Sequence, residues 1–353
     1  PVSATEAVVL TEQIEHRPVS RPAELLEFTP GLIATQHSGE GKANQYFLRG
    51  FNLDHGTDFA ISVDGMPVNM RTHAHGQGYL DINFLIPELV ESLSYRKGPY
   101  YAQVGDFSAA GSADFHYRET FDQSMLKLEV GEDDYYRGLA AGSTGLGNGD
   151  LLIGLDYTSY DGPWDLPQDI GKFNGLLKYS QREGNNGFSL TAMAYDNEWN
   201  SPDQIPQRAV DNGLISSLGS IDTSVGGESH RYSLSGDWQR DSNDRRWQAS
   251  AYVIDYKLQL FSNFTYFLEN PLEGDQFEQF DDRTIYGANG RYSHPLAFSG
   301  VNARMQYGVE TRRDDINTVG LYHTAARQRL GIIREDNVTE NSYAGYVQTD
   351  IAW

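Results

Sequence analysis

At 353 residues the chain is long enough to bury a sizeable core and to hold one to three domains. Its formal charge of −22 argues against nucleic acid as a partner, because a polyanion would be repelled. It has no cysteine, which excludes disulfides, thiol catalysis and thiolate metal sites. No apolar run reaches the roughly 18 residues of a helical membrane span, whereas a β-barrel needs only every second strand residue to be apolar.

The first 120 residues read as a small α+β domain. Arg21–Phe28 has helical spacing and is stopped by Thr29-Pro30-Gly31. Short strands are expected at Gly31–Thr35, Tyr46–Gly50 and Phe59–Val63, with a turn at Asp64-Gly65. Pro87–Leu93 reads as a short helix and Ser94–Lys97 as a strand end.

From residue 121 to 353 the character changes to repeated hairpins. Leu126, Leu128 and Val130 alternate with Lys127 and Glu129. Strands are expected over Leu151–Tyr160, Phe173–Gln181 and Phe188–Trp199. Others are expected around Tyr232–Trp238, Trp247–Val253, Tyr286–Tyr292, Met305–Val309 and Tyr343–Trp353. Roughly ten strands result. Short connections fall around 145, 185, 243 and 297, and longer ones around 165, 213, 273 and 328. The last of these is read as a polar loop over Thr318–Val338. Short turns on one side and long loops on the other are the pattern of an outer-membrane barrel. A soluble antiparallel sandwich is the bland alternative. The strand lengths, the one-sided loops and the aromatic strand ends count against it.

Four ordered motifs carry a resemblance. They are Leu25–Leu32 (LLEFTPGL), Phe47–Phe51 (FLRGF), Ser62–Val68 (SVDGMPV) and Pro87–Pro99 (PELVESLSYRKGP), followed by a Gly-rich stretch over Gly105–Phe115. Together they resemble the plug of TonB-dependent outer-membrane receptors. The resemblance implies an α+β plug over residues 1–120, followed by antiparallel transmembrane strands over 121–353. Those strands would be an incomplete part of a barrel of about twenty-two, since ten enclose too little space for a plug. A signal peptide and TonB-contacting segment are expected before Pro1, with further strands after Trp353. The implied function is TonB-dependent uptake of a scarce ligand across the outer membrane, a ferric siderophore by family frequency. Uptake would be driven by the TonB–ExbB–ExbD complex and would be non-enzymatic. No cofactor is required, and any metal would be part of the ligand.

The resemblance also places Gln36–Asn44 and Asn69–Tyr79 at the extracellular apex and Asn52–Thr57 on the periplasmic side. Candidate ligand contacts are therefore His37, Glu40, Lys42, Arg71, His73, His75 and Gln77, whose charges suit an anionic or metal-chelating ligand. His73 and His75, two apart on an extended segment, point the same way and are a candidate metal pair, with His37 as a third imidazole. His16, His55 and His116 are expected away from the ligand. Arg49 and Arg96 match family positions that pair with barrel-wall glutamates and would lock plug to barrel; ordinary pairing within the plug is the alternative. Glu269, Glu273, Asp275, Glu278, Asp281 and Asp282 read as an acidic outer loop with no Ca²⁺-loop spacing. Two further functions are weighed. A passive porin would lack the plug, and a metal-dependent hydrolase on a (β/α)₈ barrel would need helices absent after residue 120.

Overall fold

The computed structural model describes residues 5–36, 39–298 and 301–352. The N-terminal part contains two small sheets. One is five-stranded, built from β1 (Glu6–Leu10), β5 (Phe59–Val63), β6 (Met66–Pro67), β7 (Val90–Lys97) and β8 (Gly111–Tyr117) in the order β1-β7-β8-β5-β6. Its β5–β8 pair is parallel, joining Phe59 to Gly111. The other is three-stranded, from β2 (Leu32–Thr35), β3 (Gln45–Leu48) and β4 (Phe51–Asn52). Leu25, Leu26, Leu53, Phe59, Leu85, Leu89, Leu93 and Phe115 fill the core between these sheets and a 3₁₀ turn over Pro22–Phe28. Pro87–Leu93 does not form a helix. A single 3₁₀ turn over Pro87–Leu89 gives way to β7, since Val90 enters a ladder opposite Tyr117.

The rest is one ten-stranded antiparallel meander. Its strands are β9 (Met125–Val130), β10 (Tyr136–Leu146), β11 (Gly149–Tyr160), β12 (Ile170–Glu183) and β13 (Asn186–Asn200). They continue as β14 (Gly226–Ser242), β15 (Arg245–Ser262), β16 (Phe277–Phe298), β17 (Val301–Ala325) and β18 (Gln328–Ala352). The sheet wraps the N-terminal domain as a partial barrel and is open, with β9 and β18 at its edges. Through the middle of the wall strand residues alternate between the two faces. On β11, Leu152 and Asp156 are buried toward the lumen while Ile153, Leu155 and Tyr157 face outward. Leu128, Leu177, Leu190, Leu234 and Val309 continue that apolar outer face, which suits hydrocarbon. No helix is long and apolar enough to cross a membrane.

Tight turns occupy one end. Gly147, Gly184 and the Asn243-Asp244 pair sit at φ values between +49° and +61°, the left-handed geometry that two-residue hairpins require. The turn between β16 and β17 falls outside the described residues. At the other end lie the loops 161–169, 201–225 and 263–276.

The predicted loop over Thr318–Val338 is not a loop. Strands β17 and β18 run through it and meet in a two-residue turn at Ala326-Arg327, both at positive φ. Neither residue favours that conformation. Side chains hold it: Gln276 Oε1 accepts from the Arg327 amide (2.9 Å), and the Arg327 guanidinium donates to the Ser224 carbonyl (2.7 Å) and to Asn200 Oδ1 (3.0 Å). The acidic stretch also divides. Asp275 caps its own loop, accepting the amides of Leu268, Glu269 and Asn270. Glu278 and Asp281 are instead residues of β16 with no exposure, Asp281 turned to the plug's Ala74 amide and Glu278 bonded to Gln259 and Arg329 of the wall.

Candidate functional site at the plug apex

Three plug segments converge beneath the loop end of the sheet. Residues 39–44 reach the wall through Gly41. A Cβ there would lie 1.7 Å from Trp199 Cδ2, so only glycine lets the backbone lie on that ring. Segment 69–79 is tied at its base by Asn69. Its amide donates to the carbonyls of Gly56, Phe59 and Gly78, and its Oδ1 accepts from Ile61. The third segment, 52–57, was expected on the periplasmic side. It folds back to the apex instead, because the His55 ring bonds the Ala43 and Asn44 carbonyls at 3.0 Å. His55 then stands 4.6 Å, ring to ring, from His75.

The histidine network assigns its own tautomers. His73 Nδ1 accepts from the His75 amide (3.1 Å), so its Nε2 carries the proton and donates to Tyr256 Oη (3.2 Å). Gln279 is oriented by its bond to the Ala74 carbonyl (2.9 Å), so its Oε1 accepts from His75 Nδ1 (2.8 Å). Both nitrogens of His73 are therefore engaged, and its ring stacks on Tyr79 at 4.1 Å. The i, i+2 pair does not converge on one point, and no group of three metal-ligating side chains exists among the described residues. His37 lies outside the described residues. Burial holds the pKa of His73 well below the usual histidine range, and the charge of Arg283 adds to this. For His75 burial again dominates, followed by the charge of Lys42. Both imidazoles are neutral at physiological pH.

Lys42 is 4% exposed, and burial lowers its pKa against the opposing effect of Asp203. Among the described residues no acceptor bonds its amine. Glu40 is half-buried and borders a cavity of about 40 Å³ shared with Asn83, Arg137 and Lys172. Arg71 bonds Ser342 Oγ (2.5 Å) and Asp106 (3.1 Å), and Gln77 is exposed.

Sequence reasoning missed the residues that hold this apex to the wall. Asp281 and Arg283 on β16 and Arg312 and Asp314 on β17 form a lumen-facing network, each at most 4% exposed. Arg283 pairs with Asp281 (2.6 Å) and Asp314 (3.5 Å), and Arg312 with Asp314 (2.6 Å). The network grips plug backbone. Arg283 donates to the Thr72 carbonyl, Arg312 donates to the Asn69 carbonyl (2.9 Å), and Asp281 accepts from the Ala74 amide (3.1 Å). Two opposite charges spaced i, i+2 put both on one strand face, a signal present in the sequence of β16 and of β17.

Arg49 and Arg96 do not meet wall carboxylates among the described residues. Arg96 faces Glu6 of the plug (3.9 Å) and stacks on Tyr101, and Arg49 is exposed at the β3–β4 turn. The ion pairs that cross the interface have the opposite polarity. Glu88 takes both arms of Arg137 (2.7 and 2.8 Å), and Asp64 takes Lys178 (2.9 Å). Burial alone would raise the pKa of Glu88, but its Arg137 bonds outweigh that and bring it down to about 2 from 4.5. A depressed carboxyl stabilises the docked state above its free pKa and loses that contribution as pH falls through the docked value. The Glu88–Arg137 contribution to plug docking should thus be constant above pH 5 and weaken between 4.5 and about 2. Protease sensitivity of the plug across that range measures it, and Glu88→Gln should flatten the dependence.

Comparison with known proteins agrees with this geometry. Residues 2–112 match the model of the TonB-dependent receptor plug domain. The ferric citrate transporter FecA in unliganded form is similar to the chain at 14% identity and a TM-score of 0.78. That match covers 98% of this chain and 53% of FecA. The fold is that of a TonB-dependent receptor. The pyoverdine receptor FpvA of Pseudomonas aeruginosa PAO1 (13% identity, TM-score 0.74, 98% and 53% covered) and the copper transporter OprC (16%, 0.71, 98% and 52%) share it. The chain spans about half the length of these solved proteins. In this fold the Asp281–Arg283–Arg312–Asp314 network and the Glu88–Arg137 pair are part of the wall's hold on the plug.

Proposed function

We propose that this chain forms the plug and part of the wall of a receptor that imports an anionic metal chelate across the outer membrane, a ferric siderophore foremost. Uptake is driven through the TonB–ExbB–ExbD complex. One observation carries the ligand class: Lys42, a 4% exposed residue whose amine has no bonded acceptor among the described residues, stands beside the His55–His75 ring pair beneath the loop end of the wall. A buried cation of this kind favours an incoming anion. Ferric citrate, pyoverdine and enterobactin are named for structurally similar proteins, which supports the chelate reading.

A second reading, another metal or metal complex taken by the plug histidines, draws on the 4.6 Å approach of His55 and His75 and on the likeness to a copper transporter. Equilibrium binding separates the two. On the chelate reading, Lys42→Met lowers affinity for ferric citrate or a ferric catecholate about 10–100-fold, the loss of one charge-assisted contact. The His73→Ala, His75→Ala pair lowers it less. Copper or zinc binding that disappears in the histidine pair, with chelate binding absent in the parent protein, would select the second reading.

A further inference from the structure

The plug meets the wall in two unlike ways. Toward β16 and β17 the buried charges are matched to plug backbone, as the Arg283 and Arg312 bonds show. Toward β12–β14 one buried charge is matched, Lys178 to Asp64 and to the Tyr117 carbonyl (both 2.9 Å), but the polar row above it is not. Asn174 Oδ1, Ser180 Oγ, Thr191 Oγ1, Ser229 Oγ, Ser233 Oγ and both Nε and Nη2 of Arg231 are buried without a protein hydrogen-bond partner. These side chains sit side by side, since the ladder sets Asn174 opposite Tyr195, Tyr195 opposite Arg231, and Met193 opposite Ser233. Leaving one such group unsatisfied forfeits its hydration with nothing in return, so a row of them is tolerable only if water fills it.

There is room at both ends. The cavity of about 40 Å³ at the upper end is lined by Asn174 and Lys172. A cavity of about 420 Å³ at the turn end is lined by Lys178, Asp237 and, from the plug, Asp64 and His116. From Ser229 to Asp237 the strand runs eight residues, about 27 Å at the usual rise, close to the thickness of a bilayer's hydrocarbon.

We propose that this hydrated seam under β12–β14 is the transit route for a hydrophilic anion, with the β16–β17 side as the fixed clasp about which the plug gives way. Lys172 and Arg231 supply inward cations along it, Lys178 is tied to Asp64 at its turn end, and Arg231 keeps two unpaired N–H donors for a passing anion. The route deepens the uptake reading and rests on it; the seam itself does not.

The cysteine-free chain makes the test clean. Single cysteines are placed at Thr191 and Ser233 on the seam and at Ile254 and Ile285, buried lumen-side positions of β15 and β16. Each is reacted with anionic sulfonatoethyl methanethiosulfonate in outer-membrane vesicles. Seam thiols should react at least about tenfold faster than the clasp-side thiols, because reagent follows water. Equal rates on the two sides would overturn the seam. For the route, Asn83→Cys with Asn174→Cys spans the interface where the Asn174 amide now reaches the Asn83 carbonyl at 3.1 Å. In cells whose parent protein imports a ferric chelate, oxidation should stop uptake while leaving surface binding intact, and reduction should restore it. Undiminished uptake in the oxidised variant would overturn the route. A parent protein that imports no chelate speaks against the uptake reading alone, because the labelling rates need no ligand.

Discussion

Replacing Arg283 by alanine should loosen plug residues 69–75 from the wall and sharply lower ligand affinity at the apex. Arg283 has no exposed surface, and it compensates two equally buried carboxylates, Asp281 and Asp314. Removing one member of a buried ion network costs roughly 3–5 kcal/mol, because the remaining charge is stranded. At about 1.4 kcal/mol per decade, that shifts the seated population of the loop some hundred- to thousandfold. Asp281 would then lose its hold on the Ala74 amide, and the Thr72 carbonyl would lose its donor. Hydrogen exchange of residues 69–79 reads the effect directly. Arg283→Lys keeps the charge but not the planar fork and should recover only part of the protection. Amide protection unchanged in Arg283→Ala would mean that the network serves the wall and not the plug.

Gly41→Ala should have the second largest effect. Three ring atoms of Trp199 lie within 2.1 Å of the position that a Cβ would take. No rotamer of alanine relieves that, so the 39–44 segment or the indole must move. Overpacking of this sort costs about 1–3 kcal/mol, occasionally more. The shift would carry Lys42 away from its place beside His55 and His75, and chelate affinity should fall with it. Trp199→Ala alone opens a gap beside the backbone, and its combination with Gly41→Ala should restore affinity toward that of the single Trp199 variant. Additive losses in the double variant would show that the two residues do not act through their contact.

Much of the wall was legible because its chemistry is local. Gly147, Gly184 and Asn243-Asp244 announce left-handed turns, and the lipid-facing leucines fix the strand alternation. The β17–β18 turn was missed because Ala326-Arg327 carries no turn chemistry of its own. Gln276, Ser224 and Asn200, distant in sequence, hold it in shape. The strands leading to it also lack the apolar alternation of the lower wall, since residues such as Arg334 and Asp336 pair with each other on an exposed face. At the apex, residues 39–44 and 69–79 lie beneath the loop end of the sheet. The role of His55 was not legible, because the fold-back of residues 52–57 depends on carbonyls of Ala43 and Asn44 that no side-chain pattern encodes. The wall clasp was hidden for a related reason. Asp281 stood in what read as a solvated acidic loop, and only the register of β16 turns it inward.

The strand orders of the two sheets also bear on how the molecule comes into being. Each wall strand bonds its sequence neighbour, so the wall can grow one hairpin at a time with small loop-closure cost. The plug cannot. Its central parallel pair waits for β8, the last plug strand to be synthesised, to reach back to β5. Only residues 118–124 separate β8 from the first wall strand. The non-local pairing of the plug and the local pairings of the wall are thus joined by a short linker, and filling of the lumen as it forms requires that β5 and β8 pair no more slowly than the wall hairpins close.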